Sequence, residues 1–186
     1  MGIINSFLEN DVQCSGTTII LDVGAGSSTK RASEICSNSM IIAIDVDPTK
    51  LIDLKVLTNI NPILASAHAM PLRSSSVDAA LMVLTLHELP KNIVDSVLKE
   101  LHCILKSSSY MLFIDKLLAT NPRNPSEVLP YLIEVAYHEA LKHYLRLNHR
   151  ALLPRTMEQY LETISRNFTI VRMNVIKFPW INGEEF

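Results

Sequence analysis

The sequence contains no long hydrophobic run, no strong excess of either charge and few cysteines. No stretch reaches the ~18 apolar residues that a membrane-spanning helix needs, and residues 1–16 lack the basic region of a signal peptide. The formal net charge is −2 over 186 residues, which provides no overall attraction to nucleic acid. We therefore expect a cytoplasmic protein without a membrane partner.

Cysteine and metal-ligand patterns exclude two further classes of site. The three cysteines, Cys14, Cys36 and Cys103, are odd in number and have no CxxC spacing, so we expect reduced thiols in a cytosolic compartment. Six histidines are present, and Glu134 and His138 lie one helical turn apart. Because no third ligand is evident, we predict that the chain has no metal site.

Strand-like and helix-like segments alternate along the chain, without internal repeats. Hydrophobic residues make up 48% of the chain and charged residues 19%, as in a globular protein. The alternation predicts an α/β fold, a doubly wound and mostly parallel sheet flanked by helices, in a single domain over residues 1–186. An N-terminal helix lies inside 1–16, and an insertion covers 122–154. The predicted strands are 17–23, 40–44, 62–65, 79–84, 110–114 and 168–178, and the predicted helices include 28–35, 91–106, 130–150 and 157–167.

The stretch after the first predicted strand indicates a ligand. Asp22 ends an apolar run and is followed by Gly24, Ala25 and Gly26, and glycines let the backbone approach a ligand closely. The third glycine of a dinucleotide loop would fall at Thr29. A pyrophosphate beside Asp22 would be repelled by roughly 3 kcal/mol at ~5 Å and a dielectric constant of ~20. The pattern therefore disfavours a nicotinamide oxidoreductase and favours a ligand with a positive charge near the loop.

Asp45 extends this argument to a nucleoside. It follows the second predicted strand, 21 positions after Gly24, where an acid can bind the two hydroxyls of a ribose. S-adenosylmethionine combines an ammonium, a sulfonium and an adenosine, and fits both acids. Asp47 precedes Pro48 and is better suited to cap the next short helix.

Three motifs resemble the class I S-adenosylmethionine-dependent methyltransferase family. They are residues 21–26, residues 43–48 and the link from Met70 to Leu81. The resemblance implies S-adenosylmethionine as cofactor and a lid over the acceptor formed by residues 122–154. Two departures are Ser28, where the family has a third glycine, and Ser66, where it has an aspartate that contacts the adenine amino group. The cofactor contacts that we predict are Asp22, Gly24, Ala25, Gly26, Asp45, Val46, Ser66, Ala67 and Leu84.

A catalytic residue is harder to predict, because methyl transfer from a sulfonium mainly needs donor and acceptor in line. An oxygen or acidic carbon acceptor still benefits from a base. His87 follows the fourth predicted strand and is the first candidate, since histidine titrates near neutral pH. Asp115 and Tyr137 come next. A structural cap is the alternative role for His87.

The acceptor is expected to be a small molecule. No Asn-Pro-Pro-Tyr or Asp-Pro-Pro-Tyr motif is present, which disfavours methylation of an exocyclic amine or a glutamine amide. A cationic stripe of His138, Lys142, Arg146 and Arg150 is either a dock for an anionic partner or a solvated face, and it keeps a nucleic-acid acceptor open despite the balanced charge. The alternative function is a module of the same fold, either S-adenosylmethionine-binding or degenerate, that serves as a partner or regulatory subunit. Nothing in the sequence indicates the oligomeric state.

Overall fold

The structure is a computed structural model that describes residues 2–12, 14, 18–118, 132, 133, 136 and 155–175. The chain divides into two compact units, Met1–Asp115 and Lys116–Phe186. Within the described ranges, no helix is long and apolar enough to cross a membrane.

Helices and strands alternate through the first unit. In chain order they are α1 (Gly2–Asp11), β1 (Ile19–Val23), α2 (Ser27–Ile35), β2 (Met40–Asp45), α3 (Pro48–Ile52), β3 (Ile60–Leu64), β4 (Val77–Val83), a 3₁₀ turn (Leu86–Glu88), α4 (Lys91–Ile104) and β5 (Leu105–Ile114). The strands form one parallel sheet with the order β3-β2-β1-β4-β5. The predicted doubly wound α/β fold is confirmed.

The central strand β1 is buried along almost its whole length. Ile20 and Leu21 are fully buried, and Leu21 pairs with Ile42 of β2 on one side and Ala80 of β4 on the other. This environment explains why β1 is an unbroken apolar run instead of an alternating one, since helices cover a parallel sheet on both faces.

The strand order indicates where a ligand site is expected in the sheet. Because the chain runs outward from β1 to β3 on one side and from β4 to β5 on the other, the order reverses between β1 and β4. Ligands of open α/β sheets bind at the carboxyl ends of the strands beside such a reversal. Asp22, Asp45 and the turn that carries His87 all lie at this edge.

The edge strand β5 begins earlier than predicted. It follows α4 without a loop, so Ser107, Ser108 and Ser109 lie in the strand and do not form a turn before it. Leu105 is the partner of Val77 in β4 and Tyr110 is the partner of Ala79, so the three serines lie between these two pairs, where the register shifts.

Within the described part of the second unit, helix α5 (Met157–Ser165) lies close to the prediction, and residues 132, 133 and 136 are also helical. Thr156 caps it, with its hydroxyl accepting from the Gln159 N–H at 3.4 Å. A single parallel bridge joins Leu117 and Arg155. The predicted strand at 168–178 is wrong over 168–175, which form no strand, and the rest of it lies outside the described residues. Most of the predicted helix 130–150 and the insertion at 122–154 also lies outside them.

The cysteines differ from the expectation of three reduced thiols. Cys14 and Cys36 form a disulfide, with their Cα atoms 5.5 Å apart, and Cys103 is an exposed free thiol. The pair meets because α1 packs against α2, where Leu8 is fully buried and Glu9 forms an ion pair with Arg31. A separation of 22 residues along the chain does not reveal this proximity.

Candidate functional site

The glycine loop is fixed between β2 and β4. The N–H groups of Gly24 and Ala25 both donate to the Ile44 carbonyl, at 2.9 and 3.2 Å. Gly24 has φ +88°, and a Cβ built on it would lie within 2.9 Å of three atoms of Thr85, so only glycine fits there. A Cβ on Gly26 would have no described atom within 4 Å. The loop therefore has no space for a side chain at Gly24, whereas Gly26 borders open space.

Asp22 lies beneath this loop and is fully buried. Its Oδ2 accepts hydrogen bonds from the hydroxyls of Ser28 at 3.2 Å and Thr29 at 2.6 Å, both in the first turn of α2. Its Oδ1 has no hydrogen-bond partner in the described part of the chain. Burial raises the pKa of Asp22 to about 7, against the lowering effect of the two hydroxyls and with a further rise caused by Asp45. The free Oδ1 suits a cationic ligand group.

Asp45 provides the second carboxylate, at the end of β2. It is 8% exposed; its Oδ1 accepts from the Asp47 N–H at 2.9 Å, and its Oδ2 lies 3.5 Å from Lys50 Nζ. Asp47 caps α3 as predicted, accepting from the Thr49 N–H at 2.9 Å. Val46 follows with 69% of its surface exposed, and offers an apolar contact beside Asp45.

The segment after β3 continues the same edge. The Ala65 N–H donates to the Asp45 carbonyl at 3.1 Å, which places Ser66 and Ala67 next to the end of β2. Both are half-buried. Ser66 Oγ lies 2.7 Å from Nδ1 of the exposed His68.

His87 and Asp115, two separate candidates from the sequence, meet in the structure. The His87 N–H donates to Asp115 Oδ2 at 3.0 Å, and His87 Nδ1 lies 2.5 Å from Asp115 Oδ1. The two side chains are 8% and 1% exposed. Because Asp115 accepts from Nδ1–H, the neutral imidazole presents Nε2 as an acceptor. Leu84, at the end of β4, has φ 52° and donates its N–H to the Ile114 carbonyl at 2.8 Å.

The predicted site residues of the first unit thus gather along one edge of the sheet. Two contributors were missed: Thr29, which holds Asp22, and Thr85, which packs on Gly24. Hydroxyl residues in the first helical turn after a buried acid are a signal that could have identified Thr29. Tyr137, Glu134 and the cationic stripe lie outside the described residues. Among the described residues, no three His, Cys, Asp or Glu side chains are arranged to bind a metal.

Comparisons with known proteins concern the part of the chain that carries these residues. The model of a protein family described as "Methyltransferase domain" matches residues 21–113. Among curated protein sequences, none matches the chain.

Solved structures share the fold at low sequence identity. The YcgJ protein from Bacillus subtilis is 16% identical with a TM-score of 0.66, over 90% of this chain and 68% of that one. A geranyl diphosphate methyltransferase in complex with S-adenosylmethionine is 12% identical with a TM-score of 0.67, over 89% and 63%. Geranyl diphosphate C-methyltransferase from Streptomyces coelicolor A3(2), in complex with Mg²⁺, geranyl diphosphate and S-adenosylhomocysteine, is 13% identical with a TM-score of 0.67, over 89% and 59%. The chain thus spans roughly two thirds of the length of these proteins or less.

Proposed function

Because the chain belongs to the methyltransferase-domain family, whose model matches half of its residues, we propose that it transfers a methyl group from S-adenosylmethionine to a small-molecule acceptor. The observation that carries this proposal is the pair of buried carboxylates on neighbouring strand ends, Asp22 with a free Oδ1 and Asp45. The family match favours a methyltransferase over the alternative of a partner subunit.

The strand order supports a placement of the cofactor along the sheet edge. Neighbouring strands are ~4.8 Å apart, so β1, β2 and β3 provide three successive positions. The ammonium of the cofactor fits Asp22 on β1, because an ionised carboxylate with a free oxygen can accept from it. The ribose hydroxyls fit Asp45 on β2, and the base then extends over the end of β3.

The acceptor would lie on the other side of β1, over the ends of β4 and β5. When bound, S-adenosylmethionine supplies an electrophilic methyl group whose sulfonium leaving group needs no acid. Asp115 orients His87 and keeps its Nδ1 protonated, so that Nε2 can take a proton from an acceptor hydroxyl or acidic carbon. We assign His87 as the catalytic base and Asp115 as the residue that positions it.

Calorimetric titration with S-adenosylmethionine and S-adenosylhomocysteine tests the cofactor. We expect Asp45→Ala to weaken binding by about 100-fold, because two hydrogen bonds to a charged acceptor are lost. Asp53→Ala is the matched control, since Asp53 is an exposed acid at the end of α3, and it should leave affinity unchanged. The His87→Gln variant should also bind both ligands with wild-type affinity, because we assign His87 to the acceptor and not to the cofactor.

Circular dichroism spectra of the variants would verify that each is folded. If the folded wild-type protein binds neither ligand, the methyltransferase proposal is wrong. If Asp45→Ala binds as tightly as the wild type, the ribose is not held at β2.

A further inference from the structure

The disulfide between Cys14 and Cys36 ties the segment after α1 to the end of α2. The methyl transfer assigned above does not use this bond. Its two residues differ in exposure: Cys14 is exposed, whereas Cys36 is 1% exposed and belongs to the buried apolar cluster that also contains Leu8. A thiol can therefore reach the bond from the Cys14 side, and exposed disulfides are the ones that serve as redox switches.

Helix α2 connects the disulfide to the ligand site. Its first turn carries Ser28, whose hydroxyl donates to Asp22, and Cys36 follows its last turn, about 12 Å further along the axis. Arg31 lies one turn after Ser28 on the same face and forms an ion pair with Glu9 of α1. Helix α1 therefore lies against the face of α2 that carries Ser28, which is 7% exposed.

The end of α2 has a second attachment, provided by Asn59 directly before β3. Its Nδ2 donates to the carbonyls of Ser33, Cys36 and Ser39, at 3.3, 3.4 and 3.4 Å, and the Ser33 hydroxyl donates to its Oδ1 at 2.6 Å. When the disulfide is reduced, α2 keeps this anchor, whereas α1 loses its covalent attachment. Because an isolated helix of 10 residues is marginal in water, reduction should release α1 and leave the sheet folded.

We propose that reversible reduction of the Cys14–Cys36 disulfide regulates the affinity of the protein for S-adenosylmethionine. In the oxidised form, α1 stays on α2 and shields the Ser28 hydroxyl that holds Asp22. In the reduced form, α1 detaches and the cofactor binds more weakly. This inference depends on the proposed function and adds a redox-dependent step to it.

A dithiol is the class of reductant that the exchange requires. Its thiolate attacks the exposed sulfur of Cys14, the S–S bond breaks, and Cys36 leaves as a thiolate that takes up a proton. The second thiol of the reductant then attacks the mixed disulfide and releases Cys14 as a thiol. Two electrons pass from the dithiol to the protein, and the reductant ends as its own disulfide. Cys36 can remain buried afterwards, because a neutral thiol behaves as a small apolar side chain.

The test is calorimetry with S-adenosylhomocysteine at pH 8, where Asp22, with a pKa of about 7, is mostly ionised. Every protein carries Cys103→Ser, which leaves Cys14 and Cys36 as the only cysteines. We expect the oxidised form to bind about tenfold more tightly than the form reduced by dithiothreitol, within the usual range of coupling between two sites. Cys14→Ser is the matched control, because it should bind as weakly as the reduced form whether or not dithiothreitol is present.

Two further measurements need no additional variant. Linkage requires the ligand to oppose reduction by the same factor, so saturating S-adenosylhomocysteine should shift the equilibrium with dithiothreitol about tenfold toward the protein disulfide, which corresponds to ~30 mV. Amide hydrogen exchange should become faster in residues 2–12 of the reduced form and stay unchanged in β1.

The outcomes distinguish this inference from the proposed function. If neither redox form binds S-adenosylhomocysteine, the proposed function is wrong and its regulation falls with it. If both forms bind with the same affinity, or α1 exchanges at the same rate in both, only the redox inference is overturned. A reduced form that has lost the circular dichroism spectrum of the folded protein also overturns it, because the disulfide would then be required for the fold itself.

Discussion

The carboxyl group of Asp22 combines full burial, two hydroxyl donors on one oxygen and no described partner on the other. Burial disfavours its charged form, and a cationic ligand favours it. These opposing effects make ionisation of this residue part of ligand binding. The sequence predicted an acid directly before the glycine loop. It did not predict the degree of burial, because that depends on α2 folding back over the strand end.

Cofactor affinity should therefore depend on pH. With a pKa of about 7 for Asp22, protons compete with the ammonium below pH 7. Titration with S-adenosylhomocysteine should show affinity falling about tenfold per pH unit as the pH is lowered from about 7 to about 5.5, because one proton must be released on binding. Asp22→Asn should bind weakly and without this slope.

The stability of the ligand-free protein should change in the opposite direction. The folded-state pKa of Asp22 is raised above its ordinary value of 3.8, so the folded state holds an extra proton between these values. The contribution of Asp22 to stability is thus complete below about pH 4 and is lost as the pH rises through 7.

An affinity for S-adenosylhomocysteine that is constant from about pH 5.5 to 7 would contradict the first of these two predictions, because it would show that Asp22 is already ionised in the free protein.

At the scale of elements, the glycine loop could be predicted from the sequence, and its surroundings could not. The motif specified a turn after a buried strand, and that turn is present. The reason why Gly24 must be glycine is Thr85, a residue 61 positions later that packs on it through the neighbouring strand β4. In β5, likewise, the strand was predicted to begin at Tyr110, but it begins at Leu105, whose partner is Val77 in β4.

The two glycines of the loop should respond differently to substitution by alanine. Gly24→Ala adds a Cβ that overlaps Thr85 at a left-handed φ, so we expect a loss of stability of about 2–4 kcal/mol. Gly26→Ala is the matched control, because its Cβ would enter open space and its φ of −179° suits any residue. Its stability should change by no more than about 0.5 kcal/mol.

Chemical denaturation measures the change in stability of the two variants. Calorimetry with S-adenosylhomocysteine measures the change in their affinity for the cofactor product. If the cofactor lies above the loop, the new methyl group in Gly26→Ala should reduce affinity although the protein remains stable. Equal destabilisation by both substitutions would contradict the conclusion that Gly26 borders open space. Full affinity in Gly26→Ala would place the ligand elsewhere.

At the scale of the whole molecule, the sequence was informative where apolar runs face a shared core. It failed where the structure of a segment depends on a neighbouring segment that its own residues do not specify. Residues 168–175 alternate in part between apolar and polar side chains, which is typical of a strand, but a strand forms only with a neighbour that accepts its hydrogen bonds. Val171 is instead 93% exposed. The disulfide was missed for the same reason, since only the packing of α1 on α2 joins its cysteines.

The disulfide between Cys14 and Cys36 should contribute to the stability of the whole first unit. It closes a loop of 22 residues between the segment after α1 and the end of α2, and such a constraint on the unfolded chain stabilises by about 3 kcal/mol. Cys14→Ser, or reduction by a dithiol, should lower the denaturation midpoint accordingly. Cys103→Ser should not, because that thiol is exposed and outside the disulfide. Reduction that leaves the midpoint of the wild type unchanged would show that burial of Leu8 and the Glu9–Arg31 pair suffice to hold α1.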